Sequence, residues 1–213
     1  MTREHPPWRE SLRNPTLRRH TRLAMEHPGL AWWAMRKARI VTTQFIRDAA
    51  MTTAIFGFFA AGWYGWAQDD PPAGWRKPLT VGSVIGILVA IAAGILAWRN
   101  WSTGTAFDAD TSPIFGIIVG IEVLLAVGGA LLLSRRGRQE LIAPWVALVV
   151  GLHFLPIAPL LGYPLFYVVG ALVTVAALVS VPVARSRGIT VSAVTGVMCG
   201  SILLAAAVFS LLA

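Results

Sequence analysis

The sequence predicts an all-α protein: a polytopic integral membrane bundle of about six helices, preceded by a basic amphipathic helix. Three observations carry this prediction. The mean hydropathy is +0.66, only 13% of the 213 residues are charged, and the apolar residues gather in six long segments. Soluble domains carry ~25% charged residues. The composition therefore excludes a disordered chain, a disulfide scaffold and an ordinary water-soluble enzyme.

The six apolar segments follow residue 48 and are separated by short polar breaks. Their predicted bounds are 49–67, 79–98, 113–134, 141–161, 164–184 and 190–213. Each is close to the ~20 residues that a helix needs to cross the hydrocarbon core of a bilayer. Because no break is long enough to fold independently, we expect one helical bundle over 49–213 and a separate tail over 1–48.

The tail is strongly basic, with ten Lys+Arg against four Asp+Glu. Apolar residues recur at helical spacing between Leu30 and Phe45, which predicts an amphipathic helix lying in the cytoplasmic interface. A helix that docks on a protein partner is the alternative. The residues expected to meet anionic lipid head groups are Trp32, Trp33, Arg36, Lys37, Arg39 and Arg47. Basic residues that flank membrane spans explain the charge better than nucleic-acid binding does.

The location and orientation follow from the same charges. The first 48 residues stay polar and lack a cleavage site, so we expect a retained cytoplasmic tail on a multi-pass protein of the bacterial cytoplasmic membrane. The fate of segment 49–67 is left open. If it spans, basic residues divide 11 to 7 between the two sides, and if it does not, they divide 17 to 1.

Small residues recur every fourth position in several segments, as in Gly57-Ala61-Gly65 and Gly116-Gly120. Such stripes let helix backbones approach closely within lipid. Packing within the bundle is the favoured interpretation, and association with a second copy or a larger membrane complex is the alternative. Aromatic residues at segment ends, Trp145 among them, are typical of an interfacial belt.

Two titratable side chains, Glu122 and His153, lie deep within segments 113–134 and 141–161. The connecting loop is centred near Gly137, midway between them in sequence. In an antiparallel helical hairpin the two side chains therefore lie at equal depth, near the midplane. A charge there costs ~2.5–3.5 kcal/mol or more, and pairing reduces that cost.

Two prolines follow His153 in the same segment. Pro156 and Pro159 lack the backbone N–H that a helix uses, so they free the carbonyls of residues four positions earlier. We expect Glu122, His153, Pro156 and Pro159 to form a buried polar pocket at a helix break, as in transporters. The alternative is a structural lock, in which a protonated Glu122 bonds His153 and joins two helices.

No motif for catalysis or for a cofactor is present. The sequence lacks GxSxG, HExxH, CxxC, Walker and GxGxxG patterns. Three of the four histidines lie in the tail, which makes a metal or haem site within the bundle improbable. The single cysteine, Cys199, excludes an intrachain disulfide. We therefore expect no catalytic residues, no metal and no cofactor.

The run Gly151-Leu152-His153-Phe154-Leu155-Pro156-Ile157-Ala158 resembles a Gly-Leu-His-Phe-x-Pro-x-Ala segment of small bacterial multi-spanning membrane proteins of unassigned function. The resemblance covers about 25 of the 213 residues. It implies a compact bundle of about six spans and does not indicate any activity. The long basic tail departs from that group.

The function expected from these residues is a small transporter, channel or ligand-binding bundle whose pocket contains Glu122 and His153. The alternative is a non-catalytic accessory or scaffold subunit that packs against a larger membrane complex through its small-residue stripes and its tail.

The interfacial helix can be tested on a synthetic peptide of residues 29–48. Its helicity, measured by circular dichroism, should rise on anionic vesicles and rise less on neutral ones, because head-group charge holds its basic face. Equal helicity on both surfaces, or none on either, would favour docking on a protein.

Overall fold

The computed structural model describes residues 45–212, which form six α-helices and no strand. The helices are α1 (Ile46–Trp66), α2 (Arg76–Arg99), α3 (Thr111–Arg135), α4 (Ile142–Leu160), α5 (Leu165–Arg187) and α6 (Val191–Leu212), and a 3₁₀ turn (Gln139–Leu141) precedes α4. The predicted bundle of about six helical segments is confirmed. The predicted tail helix, with Trp32, Trp33, Arg36, Lys37 and Arg39, lies outside the described residues.

Five of these helices, α2 to α6, are long and apolar enough to cross a membrane. Their most apolar windows have mean hydropathies of 2.1 to 2.5. Helix α1 is not in this group, although its 21 residues extend ~31 Å at ~1.5 Å per residue. It begins three residues earlier than the predicted segment and includes Asp48 in its first turn, where a carboxylate is favourable beside the positive end of the helix dipole.

Helix α1 is unbroken and runs the full height of the bundle, antiparallel to α2 and α6. At its first residues, the hydroxyl of Ser210 near the end of α6 donates to the carbonyl of Ala49, 3.2 Å away. Beyond its last residues, the hydroxyl of Thr190 before α6 donates to the carbonyl of Asp70, 2.9 Å away. A re-entrant segment would turn back within the bundle, and α1 does not.

The start of α1 is held to the connection between α2 and α3. The carboxylate of Asp48 accepts a hydrogen bond from the hydroxyl of Thr105 at 2.8 Å and one from the backbone N–H of Ala106 at 2.6 Å. The Arg47 guanidinium lies 3.7 Å from the centre of the Trp101 ring and donates to the Trp101 carbonyl. Arg47, predicted to meet lipid head groups, is thus engaged by the protein itself.

The core lies where α1, α4, α5 and α6 meet. Its largest fully buried side chains include Phe56, Tyr163, Val169, Val173 and Leu203. Helix α2 packs mainly on α1, and α3 packs mainly on α4. No residue of α3 is buried, so this helix presents most of its surface to the surroundings of the bundle.

Most of the small-residue stripes pack within the bundle, as the favoured interpretation predicts. A Cβ at Gly57 would lie 2.8 Å from the carbonyl oxygen of Gly86, so α1 and α2 cross at backbone contact. Helices α1 and α6 approach closely at Gly196, where a Cβ would lie 2.5 Å from the carbonyl oxygen of Trp63. The stripe on α3 differs, because nothing lies within 4 Å of a Cβ at Gly116 or Gly120.

The helix directions divide the described chain between two faces. The Phe45 face comprises Phe45, the connection 100–110 and the turn 161–164, and the Arg136 face comprises the connections 67–75, 136–141 and 188–190. Basic residues near the Phe45 face are Arg47 and Arg99, and those near the Arg136 face are Arg76, Lys77, Arg135, Arg136, Arg138, Arg185 and Arg187. Because α1 joins the two faces, its first residue and the more basic connections lie on opposite faces of the described bundle.

Cysteine labelling of intact cells can test this arrangement. In a Cys199→Ala background, Thr2→Cys in the tail and Ser102→Cys should react alike with a membrane-impermeant maleimide, and Gln139→Cys should react oppositely. The reason is that α1 carries the chain from the Phe45 face to the Arg136 face, and α3 does the same between residues 102 and 139. If Thr2→Cys shares the side of Gln139→Cys, α1 does not span the bilayer.

Candidate functional site

The structure brings together the two titratable side chains that the hairpin argument places at equal depth. Glu122 is near the middle of α3 and His153 is in the second half of α4. The Nε2 atom of His153 lies 3.4 Å from the Oε2 atom of Glu122, and the side chains are only 13% and 17% exposed. The pair is the ionisable contact between α3 and α4.

The second ring nitrogen of His153 determines how the pair shares a proton. Nδ1 lies 2.6 Å from the carbonyl oxygen of Val150, which can only accept, so Nδ1 carries a hydrogen and donates it. Nε2 is then an acceptor in the neutral ring. The proton that the pair shares lies either on Glu122 or on Nε2, across a contact of 3.4 Å, and both forms hold one exchangeable proton.

A tryptophan holds α3 in the position that the pair requires. The indole Nε1 of Trp145, in the first turn of α4, donates to the carbonyl of Leu125 at 3.0 Å. The ring lies against Gly129, where a Cβ would overlap it. Trp145 was predicted as a belt residue, and its contact with α3 was missed because a tryptophan near a segment end is typical of both roles.

A cleft of about 770 Å³ opens beside the pair, between α1 and α3, with α4 as its floor. Glu122 and His153 both line it. The rims are apolar and open, since Phe59 on α1 is 54% exposed and Val123 on α3 is 53% exposed. The cleft is therefore open sideways, toward the region that lipid occupies around the helices.

Aromatic side chains from several helices form much of the cleft wall. They include Phe56, Phe59, Trp63, Phe115, Phe154 and Phe166. The contribution of α1 was not predicted from the sequence. Its signal is the spacing of Phe56, Phe59 and Trp63, three and four residues apart, which places them on one face of a helix.

The cleft is polar at the Phe45 face. Arg47, Asp48 and Thr105 line this end, where the first turn of α1 is bonded to the connection between α2 and α3. Deeper on the same side, the hydroxyl of Tyr163 donates to Ser210 at 2.8 Å. Burial raises the pKa of the Tyr163 phenol, so this group stays protonated and acts as a hydrogen-bond donor at neutral pH.

The prediction that Pro156 and Pro159 belong to the pocket is wrong. Helix α4 continues through both prolines to Leu160 without an unwound segment. Both residues are exposed and neither lines the cleft. The surrounding helices hold α4 together where the prolines remove hydrogen bonds, as neighbouring helices do in membrane bundles.

Residues 45–212 contain no group of three His, Cys, Asp or Glu side chains placed to hold a metal ion. No family model matches the chain, and no curated protein or solved structure matches it significantly. The function is therefore inferred from the residues that line the cleft.

A double-mutant cycle should show that Glu122 and His153 form one unit. Glu122→Leu or His153→Phe alone leaves a largely buried polar side chain without its partner, and each should cost about 1–3 kcal/mol of stability. The double variant should melt close to wild type, because both polar groups are gone. Thermal unfolding in detergent measures this, with Glu140→Leu, an exposed glutamate, as the control. Additive losses would show that the pair does not interact.

Proposed function

We propose that the protein is a membrane-embedded ligand-binding or transport bundle whose pocket is the cleft between α1 and α3. The observation that carries the proposal is the opening of the Glu122–His153 pair onto a cavity of about 770 Å³. Sites for small molecules measure ~300–1,000 Å³ and combine apolar walls with a few polar groups. The cleft has this size and this composition.

The position of the pair favours a functional role over a structural lock. A pair that only joined α3 to α4 would not need to face a cavity, because tight packing around it would hold the two helices equally well. Two apolar side chains would also join the helices and would avoid the free-energy cost of a charge near the midplane, ~2.5–3.5 kcal/mol or more. Here both side chains line open space. Ionisable residues that face a cavity within the membrane are typical of substrate and proton pathways.

The pair is suited to link ligand binding to a proton. The Val150 carbonyl fixes the tautomer of His153, so the proton moves between Nε2 and Glu122 rather than around the ring. Transport in this scheme requires that the cleft exchange its ligand and this proton with the two faces in turn.

We also propose that the protein lies in the cytoplasmic membrane of a bacterium. Its basic tail would then lie in the cytoplasm, against anionic lipid head groups. The resemblance of the segment from Gly151 to Ala158 to small bacterial multi-spanning proteins supports it. In this orientation the Phe45 face, where α1 begins, is cytoplasmic.

An accessory or scaffold subunit is the second candidate. It is favoured by α3, which has no buried residue and where a Cβ at Gly116 or Gly120 would have no neighbour within 4 Å. A stripe of this kind lets a second helix approach closely. The partner would be another copy of the chain or a larger membrane complex.

An apolar carbodiimide distinguishes the two candidates. Dicyclohexylcarbodiimide dissolves in the bilayer and adds to protonated carboxyl groups, so it should modify Glu122 in native membranes through the open side of the cleft. Peptide mass spectrometry locates the adduct, and it should be absent at that position in Glu122→Gln. The exposed Glu140 provides the comparison within the same chain.

Modification of Glu122 only after denaturation would contradict the proposal. It would show that the pair is closed off from the bilayer, as a structural lock requires, and the scaffold candidate would then be preferred.

A further inference from the structure

We propose that the cleft binds lipophilic organic monocations from the bilayer, and that each bound cation displaces the proton shared by Glu122 and His153. The inference rests on the proposed function and names the ligand class of the same site. It follows from three properties of the cleft: its walls, its charges and its opening.

The walls suit a cation that carries apolar groups. Aromatic faces attract a positive charge placed within ~6 Å of the ring centre, and the attraction grows when the cation is desolvated. Phe56, Phe59, Trp63, Phe115 and Phe154 come from three helices around the same cleft as Glu122. A carboxylate that shares an apolar cleft with aromatic rings is the chemistry that recognises an organic ammonium or phosphonium group.

The charges of the cleft require a cation rather than an anion. Five titratable side chains line it: Arg47, Asp48, Glu122, His153 and Tyr163, of which Tyr163 stays a neutral phenol because burial raises its pKa. Arg47 and Asp48 cancel, and both are held at the Phe45 face by the connection 101–106. With His153 neutral, ionised Glu122 leaves one negative charge near the midplane, which matches one positive charge on the ligand.

The opening decides where the ligand comes from. The gap between α1 and α3 extends along both helices, from Met51 and Phe115 to Trp66 and Val127. Its rims are about half exposed at Phe59, Val123 and Val127. A molecule dissolved in the bilayer can enter sideways between these rims without passing through water.

The exchange is balanced in charge and in protons. Before binding, the pair holds one proton, either as Glu122 O–H with neutral His153 or as the carboxylate with imidazolium. The cation takes the place of this proton beside the Glu122 carboxylate, and one proton leaves to the aqueous phase. No covalent bond forms and no redox partner is needed.

The test uses the full chain in a non-ionic detergent and two ions of matched size, tetraphenylphosphonium and tetraphenylborate. Tetraphenylphosphonium should bind once per chain in isothermal titration calorimetry. Its affinity should rise with pH, approaching tenfold per pH unit wherever the pair still holds its proton, because each binding event releases one. Titrations in two buffers of different protonation enthalpy give the number of protons released, because the measured binding enthalpy then differs between the buffers. Tetraphenylborate should not bind.

Two variants locate the site. Glu122→Gln should weaken tetraphenylphosphonium binding at least tenfold and abolish proton release, and Glu140→Gln, the matched change at an exposed glutamate, should alter neither. Equal binding of the two ions, affinity independent of pH, or proton release retained in Glu122→Gln would overturn the proposal. The comparison of ions and of pH uses the wild-type protein, so the proposal is tested even if the variant does not fold.

The outcomes separate this inference from the proposed function. Suppose that dicyclohexylcarbodiimide modifies Glu122 but that tetraphenylphosphonium neither binds nor protects Glu122 from modification. The proposed binding pocket is then supported, and its ligand is not a cation. A phospholipid that remains bound in the cleft and is displaced by neither ion would also contradict a cationic ligand. It would still support the cleft as a binding pocket. If the carbodiimide does not reach Glu122, both proposals fail.

Discussion

The close approach of α1 to α2 on one side and to α6 on the other determines where the cleft forms. At Gly57 and at Gly196 there is no room for a side chain, because the backbone of the facing helix occupies the space. These two contacts fix the rotation of α1 against its neighbours. The face that carries Phe56, Phe59 and Trp63 is thus directed partly at α4 and α5, where Phe56 contacts Phe154 and Phe166, and partly at the open cleft between α1 and α3.

Helix α3 closes the other side of that space without filling it. It is attached to the bundle through α4, by the Trp145 hydrogen bond to Leu125 and by the contact of Glu122 with His153, and it buries no residue. An attachment through one neighbour leaves α3 standing apart from α1. The same pair that anchors α3 therefore faces the gap that this arrangement creates, so structure and proposed function depend on the same two side chains.

The charged residues in the first turn of α1 are bound by the protein itself. Arg47 and Asp48 place two charged side chains in the first turn of α1, and both are satisfied by the connection 101–106 rather than by water alone. A helix with protein partners at its polar end needs less hydrophobicity to remain within a bundle than one surrounded by lipid. This explains how α1 runs the full height of the bundle although, among the described helices, α2 to α6 alone have the composition of membrane spans.

The sequence by itself determined the helix class, the bounds of the six helices to within a few residues, and the equal depth of Glu122 and His153. These features depend on local hydropathy and on the ~1.5 Å rise of a helix, which require no knowledge of neighbours. Only the tertiary structure decided that Pro156 and Pro159 face outward, that Trp145 lies against Gly129, and that α1 supplies the aromatic wall. Those facts depend on the rotation of each helix about its own axis. In segments that are apolar on every side, rotation leaves little trace in the sequence, because it is set by which backbones can approach most closely.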